Sequence, residues 1–340
     1  MSNTITLSDT LAVWPYPRRI NPHYETVSLE SATWFRGFHA FNSCSQRAFD
    51  SCDFDLLTAL TYPSLSKEHL RVASDTMNAF FVFDEYTDTL PGDSVRVLAD
   101  ITMDAMLHPE KPRPATESIL GEITRQFWLN ALKCSTLTFQ RHFKREWQLY
   151  VDSVVEEARD RDHTRFRTVE EHLALRHFTA GILPSLVMTE LGLNIPQDVY
   201  DNTSLVDLRN TISDIVALDN DMLSYNKEQA VGDDLHSIVT LIMHEHGLDL
   251  PSALVHGEAL HAAMVRHILD DLLPTLQALD VPLAVAADLA VYIGGMLEWP
   301  RGNVCWHFES TRYFGSDGAR VQRERVVELY PRCCVSALRA

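Results

Sequence analysis

Residues 66–88 read SKEHLRVASDTMNAFFVFDEYTD, and this stretch sets the fold class. Its apolar positions Leu70, Ala73, Met77, Phe80 and Phe81 recur at mixed spacings of three and four, the period of an amphipathic helix. The run ends in Asp84-Glu85-Tyr86-Thr87-Asp88. Residues four apart share a helical face. Asp84 and Asp88 are therefore neighbours, offset by roughly 40° at about 3.6 residues per turn, and Glu85 turns about 100° away. Phe81, Phe80 and Met77 fall near the Asp84 stripe, so two carboxylates stand at the rim of an aromatic face. Acidic side chains at a helix C-terminus oppose the macrodipole unless a cation compensates. Taken alone, the motif reads equally as an acidic helix end in solvent.

Outward from this stretch, the helical period recurs over 116–132, 135–160, 168–190, 203–228, 234–246, 252–278 and 281–298. Pro109, Pro112, Pro114, Gly192, Pro196, Gly232, Gly247, Pro251, Pro300 and Gly302 punctuate it. No strand-like alternation bounded by turns stands out. The expectation is an all-α fold, a large bundle around a central apolar cavity. With 340 residues, 46% of them hydrophobic, the chain can bury a sizeable core. It has no Gly/Ser run, Pro-rich linker or repeat, so one domain is expected over 1–340, with an N-terminal segment 1–27 and a C-terminal tail 316–340.

A net charge of −18 argues against a nucleic-acid partner and against adsorption to anionic lipid. No run reaches the roughly 18 consecutive apolar residues of a transmembrane helix, so no membrane partner is expected. The opening MSNTITLSDTLAVWPYPRRINPHYE lacks a charged n-region followed by an apolar h-region. Six irregularly spaced cysteines (44, 52, 134, 305, 333, 334) read as reduced thiols in a cytoplasmic protein, with Cys333-Cys334 a feature of the tail. The expected assembly is a monomer or homodimer.

A second polar motif, Asn220-Asp221-Met222-Leu223-Ser224-Tyr225-Asn226-Lys227-Glu228, follows the apolar Ile212, Ile215, Val216 and Leu218. Asn220, Ser224 and Glu228 form a continuous stripe of amide, hydroxyl and carboxylate oxygens, with Lys227 close by. Hard oxygen donors without Cys or His suit Mg²⁺, which keeps waters and takes phosphate oxygens as further ligands. Alone, this stripe too reads as a solvated polar face. His244-Glu245-His246 reads as a solvated helix end, because His-x-His on a helix points the rings apart. The Arg-, Glu- and Asp-rich stretch 141–161 reads as a solvated helix face.

The two motifs, in this order, resemble those of class I terpene synthases. The pattern (N/D)Dxx(S/T)xx(K/R)E is met at Asn220, Asp221, Ser224, Lys227 and Glu228, and the first motif is DExxD where many members have DDxxD. The resemblance implies three Mg²⁺ held by Asp84, Asn220, Ser224 and Glu228. Asp88 is not carried over as a ligand, because in many members the later acids stand behind the metal. Arg176-His177-Phe178-Thr179-Ala180-Gly181 is similar to the family's diphosphate-sensing segment, with Thr179 and Ala180 at the helix break. Arg312-Tyr313 matches a pair that binds diphosphate on closure, and Trp306 matches an aromatic of the cavity wall. FVFDEYTD, NDMLSYNKEQ and GNVCWHFESTRYFG look most like basidiomycete sesquiterpene synthases, nearest to the group containing protoilludene synthases.

The implied chemistry is ionisation and cyclisation of farnesyl diphosphate, through a humulyl-type cation to a protoilludene-type sesquiterpene, with release of diphosphate. Arg176, Lys227, Arg312 and Tyr313 would supply preorganised charge to the leaving group. Water must be excluded from the allylic cation, and aromatic faces can stabilise it without attacking it. Phe80, Phe81, Trp306 and Phe308 are the candidates. A prenyl-chain elongating enzyme would carry a second Asp-rich motif where this chain has Asn220, Ser224 and Glu228. A linalool- or nerolidol-type synthase giving an acyclic alcohol is the alternative within the family. A non-catalytic diphosphate-binding protein is the alternative outside it, against which Asp84, Arg176, Glu228 and Arg312 together argue.

Overall fold

Side-chain caps fix where the main helices begin. Ser66 accepts from His69 N, Thr136 from Phe139 N, and Asn202 from Ser204 N and Leu205 N. Each satisfies amide donors that a helix start leaves unpaired. Thr168 and Glu171 form a reciprocal capping box. The computed structural model describes residues 4–232 and 234–332.

In chain order the helices are α1 (Tyr24–Arg36), α2 (Ser43–Ser51), α3 (Phe54–Thr61), α4 (Lys67–Thr87), α5 (Gly92–Leu107) and α6 (Ile119–Cys134). There follow α7 (Leu137–Asp162), α8 (Val169–Thr179), α9 (Ile182–Val187), α10 (Gln197–Tyr200) and α11 (Thr203–Val231). The last are α12 (Ile238–His246), α13 (Leu250–Arg266), α14 (Leu273–Gln277), α15 (Leu283–Leu297), α16 (Trp299–Glu309) and α17 (Gly318–Glu324). The all-α expectation holds, and α4, α6, α7 and α11 lie within three residues of their expected bounds. The stretch 252–278 is interrupted by a π-helical turn at His267–Leu272. The helices α1, α2, α3, α5 and α16 lie outside the periodic stretches of the sequence.

One small sheet departs from the all-helical reading. β1 (Thr4–Thr6) pairs antiparallel with β2 (Val326–Glu328), Ile5 opposite Val327. Three-residue strands are too short to show alternation, yet Ile5 and Val327 are both turned into the core. A single hydrophobic cluster runs from Ile5 to Val327.

The long central helix is α11. It is buried on most sides through Leu205, Leu208, Ile212, Ile215, Leu218 and Met222, as expected of a core helix. Gly232 ends it in a left-handed conformation at φ +77°, its N–H bonded to Glu228 O. Nearby, α8 stops at Ala180, and Gly181 at φ +67° restarts the chain as α9. A side chain at Gly181 would strain that backbone. The expected helix 168–190 is thus two helices, broken at the position to which the family resemblance pointed.

By length and composition alone, the α15–α16 run Leu283–Glu309 is long enough to cross a membrane. Glu298 and Arg301 interrupt it, which is why no unbroken apolar run is visible in the sequence. Its second half is core: Trp299, Val304, Trp306 and Phe308 are buried.

Candidate active site

The helices α3, α4, α7, α8, α9, α11 and α16, with the turn after α16, enclose a cavity of about 520 Å³. That lies within the usual range of small-molecule sites. Asp84, Glu85, Asp88, Arg176, Asn220, Asp221, Lys227, Glu228, Arg312 and Tyr313 line its polar end. The two motifs, remote in sequence, therefore face one another across one space.

A hydrogen-bond network ties α8, α11 and the C-terminal turn together. Arg176 donates from Nη2 to Asn220 Oδ1 at 3.0 Å and from Nε to Asp221 Oδ1 at 3.2 Å. Asp221 Oδ2 accepts from Ile238 N at 2.9 Å and lies 3.3 Å from His172 Nε2. Asn220 Nδ2 donates to Tyr313 OH at 3.2 Å and to His307 Nε2 at 3.1 Å. The tautomer follows from His307 Nδ1, which can only donate to Asn303 O at 2.8 Å. Burial pushes the His307 pKa down to about 4, so this ring is neutral and its Nε2 is an acceptor. The chain of partners also fixes the Asn220 amide, oxygen towards Arg176 and nitrogen towards Tyr313.

Burial works against the Arg176 charge, but Asp221, Glu157, Glu228 and Asp84 outweigh it and raise its pKa. Arg312 is raised likewise against burial, chiefly by Tyr313, Cys52 and Asp84. Its Nη1 lies 3.6 Å from Glu85 Oε1, and its buried Nε has no hydrogen-bond partner among the described residues. Burial lowers the Lys227 pKa, helped by Arg312. Its ammonium stands 5.7 Å from the Tyr313 ring centre. Asp84 is pushed up to about 6 by burial first, with Glu85 and Glu157 adding to the shift. A carboxylate held this way gains from a cation placed beside it.

The donors suit a hard cation. Ser224, unlike Asn220 and Glu228, does not line the cavity: it is wholly buried one turn from each of them, and its Oγ lacks a partner among the described residues. Among the described residues, no three His, Cys, Asp or Glu side chains gather closely enough to hold a metal by themselves. The donor set is instead amide, hydroxyl and carboxylate, the kind that Mg²⁺ completes with phosphate oxygens.

The adjoining wall of the cavity is aromatic and begins directly against the polar residues: the Arg312 guanidinium stands 5.4 Å from the Phe81 ring centre and 5.5 Å from that of Phe54, and the Tyr313 ring lies 5.5 Å from Trp306. Phe81 stacks on Phe54, centroids 3.6 Å apart, and lies 5.9 Å from Trp306. Trp306 Nε1 donates to Cys52 O and Asp53 O at 2.9 and 3.0 Å, which turns its ring face and fixes it. Phe80 reaches the wall between Trp147 and Tyr150. Thr179 and Ala180 line the cavity at the α8–α9 break.

Phe308 is a correction. It stacks on Phe314 at 5.3 Å under the Arg325 guanidinium and is not in the cavity wall. On α16 it lies two residues past Trp306 and so faces another way. Glu85 is also closer to the site than its helical angle suggested, because Arg312 reaches over to it.

The expectation for 141–161 was half right. One face of α7 is solvated, but Phe143, Trp147, Tyr150 and Val154 are buried. Continued at the same alternation of four and three, that stripe reaches Glu157 and Arg161, both in the cavity wall. The spacing was readable; the charges masked it. The loop residues His236 and Ser237 and the wall residues Trp299 and Asn303 carry no such signal. His244-Glu245-His246 is structural: Glu245 accepts from Val169 N, and His246 stacks on His256. Cys333-Cys334 lies outside the described residues.

A family model described as terpene synthase family 2, C-terminal metal binding, matches residues 75–267. Sesquiterpene synthase 14 of Postia placenta is 46% identical over 330 residues, 96% of this chain and 93% of that protein. The chain belongs to the terpene synthase family. This terpene synthase is also 42% identical to Delta(6)-protoilludene synthase 18 of Postia placenta, over 96% of its own length and 92% of that protein. A Delta(6)-protoilludene synthase of Stereum hirsutum is 41% identical over 98% and 94%. In fold, the terpene synthase resembles a variant of cucumene synthase at TM-score 0.77, 20% identity and 88% and 99% coverage. It also resembles germacradien-4-ol synthase from Streptomyces citricolor at TM-score 0.74, 23% identity and 90% and 99% coverage. The segment matched by the family model holds Asp84 to Glu228 and ends before Trp306, Arg312 and Tyr313.

Proposed function

We propose that this terpene synthase ionises farnesyl diphosphate and cyclises it to a protoilludene-type sesquiterpene, releasing diphosphate. The relatives named as sesquiterpene and protoilludene synthases, at 39–46% identity over nearly the whole chain, support that reading. The observation that carries it is the cavity itself, in which cationic and oxygen donors adjoin a wall of aromatic rings.

Three Mg²⁺ are proposed, held by Asp84 on one side and by Asn220, Ser224 and Glu228 on the other; when bound, they neutralise the leaving diphosphate. Asn220 Oδ1 is engaged by Arg176, so metal and guanidinium compete for that oxygen. Released from it, Arg176 can turn its fork to the diphosphate as a charge-assisted donor. Arg312 Nε and the Lys227 ammonium supply further donors. The Tyr313 phenol accepts from Asn220 and keeps its own hydrogen to donate. Asp84 acts as a carboxylate and Asp88 supports it from the rim of the same helix.

Once the carbon–oxygen bond breaks, the cation lies against Phe81, Phe80 and Trp306. Their faces offer electron density without a nucleophile. Thr179 and Ala180 hold the helix break against the substrate. The acyclic-alcohol reading would need water kept at the cation, and the stacked Phe54, Phe81 and Trp306 rings favour its exclusion. We place the reaction in one domain and in the cytosol.

The test is incubation of the purified protein with Mg²⁺ and, in separate vessels, geranyl, farnesyl and geranylgeranyl diphosphate, followed by volatile analysis. Cyclic sesquiterpene hydrocarbon from farnesyl diphosphate is expected. An acyclic alcohol as the main product would overturn the cyclase reading.

A further inference from the structure

The face of α11 that points away from the cavity carries its own polar set. Asp219, Asn226 and Gln229 are 1%, 3% and 7% exposed. At about 100° per residue, Asp219 and Asn226 lie roughly 20° apart, and Asn220, Ser224 and Glu228 lie roughly 100–180° round the helix from Asp219. The first set therefore backs the second.

Both chain ends grip these side chains. Thr10 Oγ1 donates to Asp219 Oδ1 at 2.7 Å, and Asp219 Oδ2 lies 3.2 Å from the buried His261 Nε2. Asn226 Nδ2 donates to Glu328 O at 3.0 Å while its Oδ1 accepts from Tyr330 N at 2.8 Å. One amide thus pairs with alternate backbone groups as a neighbouring strand would. Gln229 Nε2 adds a bond to Tyr330 O at 2.8 Å. The two ends are joined to each other by β1 and β2 and by Leu7 N to Arg325 O at 2.8 Å. The circuit closes: α11 to Thr10, through β1 and β2, and back to α11 at Asn226.

The positions matter more than the count. Asp219 precedes Asn220, Asn226 lies between Ser224 and Glu228, and Gln229 follows Glu228. Lys227 and Glu228 sit near the end of α11, which stops at Val231. Helix ends fray, and a ligand side chain tolerates only about half an ångström of displacement. The segment that follows Arg312 and Tyr313 also returns through α17 to β2, so the same circuit bounds that turn.

We propose that the paired chain ends form a clasp that holds the last turns of α11 in register for metal and diphosphate, with Asn226 and Thr10 as positioning residues. The proposal rests on the reading of Lys227 and Glu228 given above. The test uses the full chain and inorganic diphosphate, titrated calorimetrically in excess Mg²⁺, with the thermal midpoint measured on each variant. Asn226→Ala loses both rungs and is expected to weaken diphosphate affinity about tenfold. Thr10→Val should weaken it about threefold, and Thr10→Ser, which keeps the hydroxyl, should restore it. Leu276→Ala, a buried change on α14, lowers the midpoint but should leave affinity as in the natural protein. Affinity in Asn226→Ala and Thr10→Val equal to that of Leu276→Ala would reduce the clasp to a stabilising element and overturn the proposal. Should Asn226→Ala fail to fold, the Thr10→Val and Thr10→Ser pair decides alone. No diphosphate binding by the natural protein would instead remove the reading on which the clasp rests.

Discussion

At the polar end of the cavity, Arg176, Asn220, Asp221 and Tyr313 are fixed by directed bonds of 3.0–3.2 Å. At the aromatic wall beside it, Phe54, Phe81 and Trp306 are held by ring contacts 3.6–5.9 Å apart, with one indole N–H as the only hydrogen-bonded anchor among these three side chains and the Arg312 guanidinium lying over Phe54 and Phe81. The first region positions charge, and a hydrogen bond misplaced there is lost. The second defines shape, and a ring replaced there leaves space. Changes at the polar end should therefore stop the reaction, and changes at the aromatic wall should redirect it.

The largest effect expected is at the proposed metal ligands. Asp84→Asn and Glu228→Gln should each lower turnover by about 10³ or more with helicity intact, since preorganised charge is the main source of rate. EDTA should do the same reversibly; full turnover in excess EDTA would break the comparison at its polar end. Next comes Arg176→Lys, which keeps the charge but loses the fork to Asn220 and Asp221. A fall of about 10² in kcat/KM is expected, and wild-type rates would show that point charge suffices.

Smaller in rate but larger in outcome are Phe81→Ala and Trp306→Ala. In the proposed reaction each removes a cation–π face worth roughly 1–2 kcal/mol in a dry site and opens room for water. Both should shift the mixture towards early-terminated hydrocarbons or acyclic alcohols. An unchanged profile in both would make these rings ordinary core.

The smallest effect on turnover concerns a charge that belongs to neither region. Asp55 on α3 is pushed up to about 8 by burial, with Asp53 and Asp75 adding to it. The folded protein holds a proton there that the unfolded chain, at about 3.9, has already lost. Stability from this group is therefore full below about pH 4 and is lost as pH rises towards about 8. Asp55→Asn should raise the thermal midpoint, with a gap over wild type that widens from pH 5.5 to 8. A gap that narrows would show Asp55 to be ionised and paired.

What could be read in the sequence follows the same division. That Asp84, Asn220, Lys227 and Glu228 line one cavity was legible because a helix converts spacing directly into a face, and oxygen donors are uncommon beside runs such as Phe80 to Phe83; Ser224, on the same stripe, is buried behind the cavity wall. Arg176, Arg312 and Tyr313 were legible only through family resemblance, since nothing local marks an arginine as facing a cavity. The aromatic wall was legible in part. Phe81 and Trp306 could be placed by their distance from polar motifs, but Phe308, equally aromatic, turned out to pack on Phe314. Which ring faces the cavity depends on how seven helices are rotated, and periodicity within one helix does not carry that. Glu157 and Arg161 were missed for the opposite reason: their charges disguised the end of a buried stripe. The β1–β2 pairing joins the two ends of the chain, and three residues give no pattern to read.

The most direct test of the division is one variant measured two ways. Phe80→Ala is assayed for diphosphate affinity in Mg²⁺ and for its product mixture from farnesyl diphosphate. The account predicts affinity within about twofold of wild type, because Phe80 packs on Trp147 and Tyr150 and not on Arg312 or Tyr313, together with a clearly altered product mixture. Loss of diphosphate affinity with the product mixture unchanged would contradict it.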